Sequence, residues 1–187
     1  MGRKKMTEYA NLAAAAYTNK TPAGYKKDRR LSDRRSKVYT KNDKVYIAYR
    51  GTNPTNISDL WADARILTST EAYSQRFMEA ERKLHATRDK YPSAKPELLG
   101  HSLGGSLAAY VGHGNRLDKG VVTFNRGVSP LTQLGRALVG AKSKSKIQNY
   151  TTAIDPISIG TLIPNRNEST KTVAPLQIDV HSISNYV

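Results

Sequence analysis

The run Gly100-His101-Ser102-Leu103-Gly104-Gly105 lies between Leu98-Leu99 and Ser106-Leu107-Ala108-Ala109-Tyr110-Val111. It reads as a short strand that turns sharply into a helix. A side chain at such a turn takes up a strained backbone, and only very small neighbours leave room for it. Gly100 and Gly104 supply that room. The spacing predicts Ser102 exposed at the top of a sheet, at a helix N-terminus. The backbone N–H of Leu103 then points at any oxyanion formed when the serine attacks. The plainer reading is a Gly-rich turn between strand and helix. The apolar flanks and the extra Gly105 favour the catalytic one.

In this architecture the serine is followed along the chain by an acid and then by a histidine. The chain has four histidines, His85, His101, His113 and His181. Only His181 falls late enough. Asp155 is the first candidate acid. It follows the strand-like run from Ile147 to Ile154, and Pro156 stops the strand and presents the carboxylate on a loop. Asp179 is second, being only two residues from His181, and Asp118 stands at the wrong end of its strand. The bland alternative for Asp155 is a turn-forming Asp-Pro. Upstream, the strand Lys44 to Tyr49 runs into Arg50-Gly51-Thr52-Asn53-Pro54. The N–H of Thr52 is placed to be a second oxyanion donor.

Tyr49-Arg50-Gly51-Thr52, Asp59-Leu60-Trp61-Ala62-Asp63, Gly100 to Gly105, Thr123-Phe124-Asn125, Asp155-Pro156 and His181 together resemble the class 3 (fungal-type) lipase family. The resemblance runs from about Val38 to His181. It implies a triad of Ser102, Asp155 and His181, and an oxyanion hole of Thr52 and Leu103. It also implies a short amphipathic lid near residues 55–63. There Ile57, Leu60 and Trp61 share one helical face, as a cover over the acyl pocket or as a core-packing turn. The chain departs from the family pattern where Phe124-Asn125-Arg126-Gly127 replaces Phe-Gly-x-Pro, and in its short stretch from Thr52 to Ser102.

A chain of 187 residues can bury a core alone, so residues 1–187 are read as one domain. A helix is expected from Thr7 to Tyr17, capped by Thr7. A basic, poorly structured stretch follows, near 19–36. Strands at Ser36 to Thr40 and Val45 to Tyr49 form a hairpin through Lys41-Asn42-Asp43-Lys44. Tyr73, Phe77, Ala80, Leu84 and Tyr91 recur at helical steps, which predicts a helix over Ala72 to Lys90. Leu98-Leu99, Val121 to Phe124 and Gln148 to Thr152 are core strands. Helices after Ser102 and over Leu131 to Val139 separate them, and Lys142 to Lys146 form a surface loop. This βαβ alternation predicts an α/β-hydrolase fold, with a mostly parallel central sheet and helices on both faces.

No apolar run approaches the roughly 18 residues that span a bilayer. The chain has no cysteine, so disulfides, thiolate metal sites and a thiol nucleophile are excluded. Their lack leans toward an intracellular or particle-associated setting over a secreted one. The chemistry needs no metal and no organic cofactor. Net charge is +15, from 30 basic and 15 acidic residues. Its clusters are Lys26-Lys27, Arg29-Arg30, Arg34-Arg35 with Lys37, and Lys142, Lys144 with Lys146. Such a field attracts phosphates. An anionic membrane surface is the preferred partner, nucleic acid the less favoured one, and a solvated surface without partner the bland reading. Ester hydrolysis on lipids is the expected activity. The competing class is an inert hydrolase-fold protein, acting as a basic binding or structural component at a membrane or nucleic acid.

Overall fold

The structure, a computed structural model, describes residues 2–51, 71–117, 120–127, 146–152, 168–174 and 182–187. The elements in chain order are α1 (Arg3–Ala15), β1 (Lys26–Lys27), β2 (Ser36–Lys41), β3 (Lys44–Tyr49), α2 (Glu71–Lys90), β4 (Glu97–His101), α3 (Leu103–Gly114), β5 (Val121–Phe124), β6 (Ile147–Thr152) and β7 (Glu168–Val173). A 3-10 turn, Ile183–Tyr186, follows. The strands form one seven-stranded sheet in the order β1-β2-β3-β4-β5-β6-β7. The pairs β1·β2 and β2·β3 are antiparallel, and every pair from β3 onward is parallel.

The hairpin forms where the sequence predicts it. Lys41 pairs with Lys44, and Asn42 takes the left-handed conformation, φ 52°, which a short polar side chain tolerates better than most. Parallel strands buried on both faces need apolar residues on both, and β4 supplies Leu98 and Leu99, each fully buried. One face packs Tyr46, Ala48, Leu99, Val122 and Phe124 against Leu12 and Ala13 of α1. The other packs Ile47, Leu98, Val121 and Ile147 against Phe77 and Leu84 of α2 and Leu107 of α3. Helices therefore cover both faces, and the protein has the α/β-hydrolase fold. No helix of the described residues is long and apolar enough to cross a membrane.

Several elements differ from the sequence expectation. Helix α1 begins at Arg3 after the N-cap Gly2, not at Thr7. Its first turn is basic, so charge gave no start signal, and the buried face Tyr9, Ala10, Leu12 and Ala13 sets its extent instead. The stretch near 19–36 is not without structure. Lys26 and Lys27 pair with Thr40 and Tyr39. Asp28 Oδ1 accepts from the N–H groups of Arg30 and Leu31 at 3.0 and 3.2 Å, and Asp33 Oδ1 from those of Arg35 and Ser36 at 2.7 and 2.9 Å. Strand β7 has no counterpart in the sequence expectation. The expected helix over Leu131 to Val139, and all but Lys146 of the Lys142 to Lys146 loop, lie outside the described residues.

Candidate active site

The C-terminal ends of β3, β4 and β5 converge at Ser102. Strand β4 ends at His101 and α3 begins at Leu103, so a single residue makes the whole turn. Ser102 has φ 55° and ψ −127°, a region that residues with a Cβ rarely adopt. It is held there by backbone bonds. Its N–H donates to the Phe124 carbonyl at 3.0 Å, and its carbonyl accepts from the N–H groups of Gly105 at 2.9 Å and Ser106 at 3.2 Å.

The glycines act as their spacing suggests. A Cβ on Gly100 would collide with the backbone of Gly104, and one on Gly104 with the carbonyl of Tyr49. Close approach of α3 to both β3 and β4 is thus possible only with bare backbone. The Ser102 hydroxyl does not cap α3, although serine at an N-cap commonly does. Leu103 opens the helix, so its N–H has no carbonyl to bond within the helix. The helix dipole also favours negative charge at that end. One expectation is corrected here. Ser102 is 3% exposed, not prominent on the surface, because the ends of β3 and β5 flank the turn on either side.

A tyrosine that no sequence pattern singles out joins the first two of these strand ends. Tyr17, just past α1, accepts at its hydroxyl from the Gly51 N–H at 3.1 Å. The same hydroxyl lies 3.2 Å from His101 Nδ1 and 3.3 Å from the His101 carbonyl. Burial pushes its pKa up to about 12, outweighing the Gly51 bond and the nearby Arg50 and Arg76. It is therefore a neutral hydroxyl over the working range. A Cβ on Gly51 would stand 2.5 Å from that oxygen and 2.8 Å from the His101 carbonyl. Only glycine lets the loop after β3 come this close to the serine turn.

On the other side, β5 ends in Asn125, fully buried with φ 40°. Its side-chain oxygen accepts from Thr152 N–H at 3.0 Å and from the Tyr186 hydroxyl at 2.5 Å. Arg126 follows, also fully buried. Its Nη2 lies 2.7 Å from Glu168 Oε2. His113 Nε2 is 3.3 Å from Glu168 Oε1, and Asn149 Nδ2 donates to Oε2 at 3.0 Å. Burial alone would raise the Glu168 pKa. The contacts with His113, Arg126 and Asn149 win and hold it well below the usual carboxylate range. Arg126 and Glu168 thus form a buried ion pair. Sequence reasoning missed it because its two halves lie far apart along the chain.

Of the residues that the sequence singled out, Ser102 and Leu103 stand at the turn as described. Thr52, Ile57, Leu60, Trp61, Asp155 and His181 lie outside the described residues, as do Asp118 and Asp179.

No protein-family model matches the chain, and no curated protein matches it either. Solved structures do. One is a fungal lipase–inhibitor complex, presented as a model for interfacial activation in lipases. It shares 14% identity at a TM-score of 0.58, over 83% of this chain and 72% of that one. Another is the native propeptide complex of Rhizomucor miehei lipase, at 16% identity and a TM-score of 0.52. The match covers 82% of this chain and 62% of the lipase. The fold is that of fungal lipases, at an identity too low to carry more than the fold.

Proposed function

We propose that this protein is a serine hydrolase acting on carboxylic esters of lipids, acylglycerols or phospholipids. Ser102 is the nucleophile, His181 its base and Asp155 the group that orients the imidazole. His181 takes the hydroxyl proton as Ser102 Oγ attacks the ester carbonyl. The N–H groups of Thr52 and Leu103 hold the oxyanion. The tetrahedral adduct collapses, and the alcohol leaves with the proton from His181. Water then gives a proton to His181 as it attacks the acyl-enzyme, and the second adduct collapses, releasing the acid while His181 returns the proton to Ser102 Oγ. Ile57, Leu60 and Trp61 cover the acyl chain, and the basic surface meets an anionic lipid interface.

One observation carries this reading. Ser102 is held at φ 55° and ψ −127° at a strand-to-helix turn, where glycine would fit without strain. Such a conformation costs about 1–3 kcal/mol, and strain of this kind collects at functional sites. The fold of fungal lipases around it is the second support. The test is a fluorophosphonate probe. Wild type is expected to be labelled at Ser102 and to hydrolyse a short-chain ester. Ser102→Ala is expected to stay folded and do neither. Unlabelled wild type, or a Ser102→Ala variant of full activity, overturns the mechanism.

A further inference from the structure

Beside the serine turn, on the face of the sheet that carries α2 and α3, lies a cavity of about 560 Å³. Tyr49 and Leu107 form its inner wall. Tyr49 pairs with Gly100 in the sheet, and Leu107 stands on the helix that Ser102 opens. The rest of the wall is charged. Among the described residues, Arg34, Arg35, Arg76, Arg82 and Lys83 face two carboxylates, Asp33 and Glu79.

Both carboxylates are already engaged. Glu79 bonds Arg35. Asp33 Oδ2 lies 2.7 Å from Lys83 Nζ, while its Oδ1 closes the turn at Arg35 and Ser36. Among the described residues, no carboxylate lies within 4.0 Å of Arg34, Arg76 or Arg82. Arg76 is anchored, since Nη2 donates to the Arg50 carbonyl at 2.7 Å. That bond uses one of the five N–H groups of its guanidinium. Its pKa is lowered, first by burial and then by the charge of Arg35, with Glu79 opposing. A half-buried cation pressed by like charge gains most from an added anion.

We propose that this cavity binds a phosphate group, held by Arg34, Arg76 and Arg82. A single carboxylate is matched by one guanidinium fork. A tetrahedral phosphate, with more charge and more acceptor oxygens, can take bonds from several forks at once. The group belongs either to a lipid headgroup or to a soluble phosphate ester. The proposal goes beyond the ester-hydrolase reading and does not depend on turnover.

The experiment uses the full chain at physiological salt. Glycerol 3-phosphate is titrated by calorimetry. Vesicles of phosphatidylglycerol and of phosphatidylcholine are compared by co-sedimentation. Saturable binding of the soluble ester assigns a free ligand, and preference for phosphatidylglycerol vesicles assigns a headgroup. In either case R34Q/R82Q is expected to weaken binding about tenfold or more, as loss of charge-assisted bonds implies. K20Q/K95Q removes the same charge from exposed positions outside the basic clusters and is expected to change it less than about twofold, because such charges are screened. R34K/R82K keeps charge but not the fork, and is expected to fall between wild type and R34Q/R82Q. It serves as well if the glutamine variant fails to fold by thermal melt. Ser102→Ala is expected to bind like wild type, so a failed hydrolase reading leaves this result intact. Binding of neither probe overturns the proposal. So do equal losses in R34Q/R82Q and K20Q/K95Q, and so does tighter binding to duplex DNA that R34Q/R82Q leaves unchanged.

Discussion

At the scale of single residues, the informative quantity is backbone strain. Ser102 sits at φ 55°, so its own side chain works against the fold. Replacing it by glycine is expected to stabilise the protein by about 1–3 kcal/mol relative to Ser102→Ala, measured by chemical denaturation, while removing the nucleophile. Equal stability of the two variants would mean that the turn carries no strain. The acid can be separated from its rival in the same way. Asp155→Asn is expected to lose activity by about 10⁴ through the wrong imidazole tautomer, and Asp179→Asn to lose far less. The reverse result, read in steady-state ester hydrolysis, moves the acid to Asp179 and leaves the serine in place. The Ser102 turn was legible in the sequence because a glycine pattern reports backbone geometry directly. Tyr17 was not. Its role depends on an approach between α1, Gly51 and His101, and no local spacing encodes that.

Secondary elements were legible in proportion to their burial. Helix α2 shows its core face through Phe77, Ala80 and Leu84, and the apolar runs of β4 and β5 mark them as interior strands. Strand β7, Glu168-Ser169-Thr170-Lys171-Thr172-Val173, lies at the sheet margin and alternates between half-buried and exposed residues. It shows no apolar period to read. It is nonetheless tied in by charge. The Glu168 side chain is 2% exposed and bonds a fully buried Arg126. Glu168→Ala removes a buried carboxylate from that cation and is expected to cost about 3–5 kcal/mol, measured by urea denaturation. The pair also sets an acid limit. The Glu168 pKa is depressed in the fold, so its contribution is full above the unfolded value of about 4.3 and is lost as pH falls below it. Asp28, held at about 2 by Lys90, Tyr91 and the Leu31 N–H against its own burial, acts in the same window. Melting temperature is therefore expected to drop below about pH 4, and less steeply in a Glu168→Gln, Asp28→Asn double variant measured against its own neutral-pH value.

Across the whole molecule the strongest influence is a net charge of +15. Like charges repel within a compact fold, and salt screens them over about 8 Å at physiological strength. Melting temperature is expected to rise between low and physiological salt. Binding to phosphatidylglycerol vesicles is expected to exceed binding to neutral vesicles and to weaken over the same range. Neutralising Lys142, Lys144 and Lys146 together is expected to reduce that preference and leave soluble-ester hydrolysis intact. No preference at low salt would remove the lipid surface from the functional reading. Composition gave this charge in full, yet not its arrangement. The cavity that gathers Arg34, Arg76 and Arg82 draws on a turn before β2 and on α2, which meet only in the fold.

Among the described residues, the sheet runs from β1 to β7 in chain order. A ribosome releases the chain in that same order, at about 5–20 residues per second. Each strand can therefore join an edge that its predecessor has just completed, and none must be inserted between two that are already paired. The serine turn has its own place in this timetable. Its N–H is fixed by the Phe124 carbonyl, which belongs to the strand synthesised after it. That hydrogen bond can therefore form only after β5 has left the ribosome.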